Sequence, residues 1–181
     1  MTAIPDPVIA PIVADLVTYL TATMVDVPNP PSTAPRVVCL RPGDRVDLLI
    51  SQTLDECCAG LVWVRWVTLH PSAVQFPIED MKVTPCDVRR WAVTVELGAV
   101  RCAPTTDVET VPTCDQWTDV TLNVYDDLAA IRRALCAYTV AHPEALVLQG
   151  SAAPLQTDGG CVGAAMLATI SAPACDCPKG P

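Results

Sequence analysis

RRWAVTVELGAVRC, residues 89–102, is the stretch whose reading decides the fold. In an extended chain Trp91, Val93, Val95 and Leu97 fall on one side and Ala92, Thr94 and Glu96 on the other. That spacing of two predicts a half-buried strand of an antiparallel sheet. Upstream, LVWVRWVTL (61–69) is dense in β-branched and aromatic residues and predicts a second strand. Consecutive strands usually neighbour each other, so these two are expected to pair antiparallel. HPSAVQFPIEDMKVTPCD (70–87) connects them; a loop of this length usually serves an interaction or a function. RVVCL (36–40) and VDLLIS (46–51) complete a set of four strands, with Pro42-Gly43-Asp44 turning the chain between them.

Helices flank this block. Ile9, Ile12, Val13, Leu16, Val17, Leu20 and Met24 form one apolar stripe, which predicts a helix over 8–24. Asp6 and Pro7 suit its N-cap and first position, and Pro11 fits only within a first turn. VPNPPSTAP (27–35) then acts as a stiff connector. Val124, Leu128, Ile131, Leu135 and Tyr138 recur at spacings of four, three, four and three, predicting a second helix. Thr118 or Asp119 is expected to cap it, and His142-Pro143 to stop it. ALVLQ (145–149) and GAAMLATIS (163–171) read as the arms of a hairpin turned by Thr157-Asp158-Gly159-Gly160. The expectation is an α+β domain over 1–171, a mainly antiparallel sheet with two flanking helices, ordered helix, four strands, helix, terminal hairpin. Residues 172–181 are expected to form a C-terminal tail.

The chain has 181 residues, enough for one domain with a substantial core. It is 51% hydrophobic and 17% charged, which excludes a disordered chain. Its formal charge of −9 makes it a poor phosphate-gripping surface, although a like-charged wall suits a passage through which nucleic acid slides. MTAIPDPV lacks a basic region, so no signal peptide is expected, and Cys161–Ala174 is too short to span a bilayer.

Residues for chemistry are few. The two histidines, His70 and His142, each precede a proline at an element boundary, outside HExxH and any metal spacing. They read as boundary residues, which leaves a Ser-His or Cys-His mechanism little to work with. No GxSxG, Walker A or GxGxxG occurs. The pairs Asp55-Glu56, Glu79-Asp80 and Asp126-Asp127 read as solvated charge, because sequence neighbours point different ways. No catalytic residue, cofactor or metal is expected.

Ten cysteines are the exception to this blandness. Cys57-Cys58 and Cys175-Asp176-Cys177 lack zinc-knuckle spacing. Cys136, on the second helix, reads as a buried small hydrophobe. Antiparallel pairing of 61–69 with 89–102 brings Cys57 or Cys58 toward Cys102, and only one of the two can reach it. Two readings stand side by side: a disulfide there, or reduced and packed thiols.

DECCAGLVWVRWVTLHPS (55–72), RRWAVTVELGAVRCAP (89–104), PTCDQWTDV (112–120), DDLAAIRRALC (126–136) and PLQTDGGCVGAAML (154–167) together resemble small head–tail junction proteins of siphophages of high-GC actinobacteria. Within that set the chain is most similar to a tail terminator. The resemblance implies an α+β fold with a sheet flanked by helices, and no catalytic residues. It also implies a six-membered ring in the virion neck that caps the tube, touching the major tail-tube protein and a head-side connector or stopper, with DNA passing through unread. Phe76, Glu79 and Asp80 of the long loop, and Asp158, Gly159 and Gly160 of the hairpin turn, are the candidate contacts with neighbours or the tube. Another neck component, such as a stopper or connector, and a cysteine-dependent metal-binding protein are the alternatives.

Overall fold

A computed structural model describes residues 6–27, 38–43, 60–84, 87–104, 111–158 and 160–174. Helix α1 spans Ile9–Val25, strand β1 Val38–Leu40, β2 Leu61–Pro71 and β3 Arg90–Cys102. Helix α2 spans Cys114–Ala141, and β4 Val147–Asp158 and β5 Cys161–Pro173 follow. The sheet order is β1-β2-β3-β5-β4; only β1 runs parallel to its neighbour. The fold is therefore α+β, with a five-stranded, mostly antiparallel sheet.

β2 and β3 pair as the sequence predicts, from Leu61 opposite Val100 to Pro71 opposite Trp91. A bulge at Val67 absorbs one residue between Trp66 and Thr68. Both helices cover the same face of the sheet. Leu16 and Leu20 of α1 and Ile131 and Leu135 of α2 are fully buried against Val64, Val93, Val95, Leu97 and Ile170. Burying each such side chain is worth roughly 1.5–3 kcal/mol.

Alternation holds from Val93 to Leu97 and fails on either side; before Val93, Ala92 is fully buried and Trp91 only half-buried. Thr94 and Glu96 are half-buried as a half-solvated strand requires, but Leu97 through Arg101 are buried on both faces. Trp63, fully buried, lies on the face away from the helices, in a small second cluster with Val100, Cys161 and Ala165. Its indole occupies the space where a side chain at Gly98 would stand, so only glycine fits there.

Several local expectations need correction. α2 begins at Cys114, and Thr113 caps it, not Thr118 or Asp119. Thr113 Oγ1 accepts from the Gln116 N–H, and the Gln116 side chain accepts from the Thr113 N–H at 2.9 Å. The signal was a Thr-x-x-Gln capping box in PTCDQ. β4 runs twelve residues where a five-residue arm was expected. Gly150 and Pro154 lie inside it because it is an edge strand, paired on one side only. Asp158 already pairs with Cys161, so the strand arms reach further into the expected turn, and Gly160 takes φ 81°. VDLLIS (46–51) lies outside the described residues.

At the start of α1 the carboxylate of Asp6 accepts from the N–H groups of Val8 and Ile9, at 2.9 and 2.5 Å. The helix nevertheless starts at Ile9 with Val8 at its N-cap, so Asp6 and Pro7 lie in the turn before it and not at the N-cap and first helical position expected of them.

Candidate interaction surfaces

The two groups of candidate contact residues lie at opposite ends of the sheet. The β2–β3 loop leaves beside Pro71 and Arg90, whereas the β4–β5 turn lies beside Cys102. The thirteen residues of β3 separate them by about 40 Å. Phe76, Glu79 and Asp80 thus share one end, Asp158 and Gly160 the other, and Gly159 lies outside the described residues.

The loop is built, not slack. Ser72 bridges Glu79, the Ala73 N–H donates to Ile78 O at 2.7 Å, and the Asp80 N–H donates to Pro71 O at 2.9 Å. A cis Phe76–Pro77 peptide sits in its tip, and His70 Nε2 lies 2.9 Å from Pro77 O. His70 is therefore a boundary residue that ties the loop to β2. Phe76 is half-buried; the apolar side chains the loop presents to solvent are Val74 (85% exposed), Ile78 and Met81 (87%). An apolar tip on an acidic chain is a contact feature.

The second histidine is more connected than its proline neighbour implied. His142 ends α2 and stacks on Tyr138 with ring centres 4.4 Å apart. Its Nε2 lies 3.1 Å from Asp15 of α1, and its Nδ1 3.5 Å from Glu144. These residues line a cleft of about 490 Å³ with Arg89 and Arg90. Burial, followed by the charges of Asp15 and Glu144, pushes the Tyr138 phenol up to about 12. Sequence spacing gave no hint of this cluster, because Asp15 and His142 meet only through helix packing.

Charge also enters the body of the fold. Asp127, expected to be solvated, is buried on α2 and forms a two-pronged pair with Arg101 of β3, at 2.5 and 2.7 Å. The helical period explains the correction: Asp127 shares the inward face with Val124 and Ile131, while Asp126 does not. On the other face Arg65 holds Glu96 at 2.6 and 2.8 Å, and the Trp63 indole donates to the same carboxylate at 3.1 Å. Burial opposes the charge of Glu96. The Arg65 hydrogen bonds, the Trp63 indole and the Arg65 charge outweigh that and hold its carboxyl below the usual range.

Of the three cysteines expected near one another, Cys102 is disulfide-bonded, and so is Cys161, its register partner on β5. Cys57 and Cys58 lie outside the described residues. Cys114 and Cys136 are free thiols, and Cys136 is exposed, not buried, because it lies on the outer face of α2. Among the described residues no three His, Cys, Asp or Glu side chains are disposed to hold a metal ion. No described helix is long and apolar enough to cross a membrane.

No protein-family model matches the chain, and no curated protein matches it. What the fold and its surfaces define is an α+β protein with both helices on one sheet face and exposed apolar groups at the sheet's end and along α2.

Proposed function

We propose that the chain is a structural virion subunit that forms a ring at the head–tail junction of a siphophage, capping the tail tube as a tail terminator. The observation that carries this reading is the resemblance, which covers roughly residues 36–171. Its described parts fall in β1, β2, β3, α2 and the β4–β5 hairpin, which pack as one sheet-and-helix body. A ring subunit needs two different patches, each complementary to the other, and a further surface for the tube. The reading is supported by two separate surfaces at opposite ends of the sheet, the loop tip around Val74, Ile78 and Met81 and the end at Asp158, which suit different neighbours. The protein's partners are then its own copies, the major tail-tube protein and a head-side connector, with DNA passing an acidic wall that does not hold it. The role is one of scaffolding, without catalysis or cofactor.

The test is to identify the chain by mass spectrometry in purified particles and locate it by cryo-electron microscopy. A ring between tube and head is the expected result. Density assigned to this chain only in the capsid shell or at the tail tip, or its absence from particles, overturns the reading.

A further inference from the structure

α2 has an outer face that the fold leaves bare. Its first turns, Cys114 to Asp119, are exposed, with Gln116 and Asp119 beside a shallow hollow at the end of β3 lined by Cys102, Ala103 and Pro104. Along the outer stripe Asp115, Asp119, Leu122, Asp126, Ala129, Arg133, Cys136 and Val140 follow one another at alternating spacings of four and three. That repeat keeps one face of a helix toward a partner. Leu122, Tyr125 (60% exposed) and Val140 (82%) give it apolar content.

The charges on this stripe are segregated. Asp115, Asp119 and Asp126 occupy its first half, and Arg132 and Arg133 follow in the second. None of the three acids lies three or four residues from either arginine, so the helix cannot pair them internally. Among the described residues neither arginine has an ion-pair partner. Asp115 and Asp119 are like charges one turn apart, an arrangement that weakens an isolated helix. One surface thus carries an acidic half and a basic half, each complementary to the other half of a second copy.

We infer that α2 is a self-association element: the acidic first half (115–126) of one chain docks on the basic second half (132–140) of α2 in the next. Head-to-tail docking of two different patches is the heterologous contact that closes a ring. This inference rests on the ring reading above and names the surface that would build it.

The free, exposed thiols of Cys114 and Cys136 mark the two halves. Twenty-two residues of helix hold them about 33 Å apart within one chain. A bis-maleimide cross-linker of under about half that helical span can therefore join Cys114 to Cys136 only between copies. The expected product is a ladder of covalent oligomers whose linked peptides contain Cys114 with Cys136. Charge-reversed chains supply the second measurement, read by native mass spectrometry. Asp115→Lys/Asp119→Lys and Arg132→Glu/Arg133→Glu should each stay monomeric alone while keeping the parent's circular dichroism. Their equimolar mixture should recover a closed assembly with an even number of chains. Recovery of a two-chain species alone would mean that α2 pairs symmetrically and overturns the head-to-tail arrangement. Variants that each assemble like the parent overturn the surface but leave the ring reading standing. A parent chain that never assembles, in solution or in particles, overturns both.

Discussion

Asp127 and Arg101 form the most deeply buried charged pair among the described residues, with side chains 1% and 7% exposed. Such a pair contributes little net stability over an apolar replacement, but removing one partner strands a charge. Asp127→Ala is expected to cost about 3–5 kcal/mol in urea unfolding. The double variant Arg101→Met/Asp127→Leu should recover most of that loss. Equal losses in the single and double variants would show that the pair matters through shape alone. Cysteine chemistry is also decided residue by residue. Alkylation of the denatured, unreduced protein should label Cys114 and Cys136 and leave Cys102 and Cys161 unlabelled until reductant is added. Labelling of Cys102 before reduction would return it to the packed-thiol reading.

At the scale of elements, α2 joins two regimes. From Val124 onward its inner face is locked against the sheet, whereas the turns before it touch little. The capping box at Thr113 therefore guards an end that can open without unfolding the domain. Thr113→Ala removes about 1 kcal/mol of local helix stability. Amide exchange should accelerate at Gln116, Trp117 and Thr118, while the global urea midpoint moves little. An equal drop in global stability would mean that this end is coupled to the core. β4 shows how an element's environment sets its length. Pro154 and two register shifts blunt its outer edge without ending the strand, since its ladder needs bonds from β5 on one side only.

For the whole molecule, stability is bounded by titration on both sides. Glu96 has a lowered folded value, so its contribution is present above its ordinary 4.5 and is lost as pH falls through the folded value. The urea midpoint should therefore decline on acidification below about pH 4.5, and Glu96→Gln should flatten that decline. Tyr138 has a raised value, about 12 against 10. Its contribution is complete below pH 10 and is lost between 10 and about 12, as the unfolded phenol ionises first. An absorbance titration should find one of the three tyrosines ionising late in the folded protein, and Tyr138→Phe should abolish that step. A Tyr138→Phe titration curve indistinguishable from the parent's would contradict the packing of Tyr138 against His142 beside Asp15.

Much of the fold was legible in the chain. The spacing of two in 89–102 and the fours and threes from Val124 to Tyr138 determine which faces turn inward, because burial follows the period of the backbone. The long connection from His70 to Asp87 was likewise legible as a loop between paired strands. Tertiary structure alone decided that both helices cover one sheet face and that Trp63 fills the place of a side chain at Gly98. It alone drew Asp127 inward to Arg101 while leaving Cys136 outside, and brought Asp15 to His142. Periodicity reports how an element divides into faces, but a polar residue on the inner face is tolerated only where a distant strand supplies its partner. That partner is fixed by packing, over separations in sequence that no local spacing encodes.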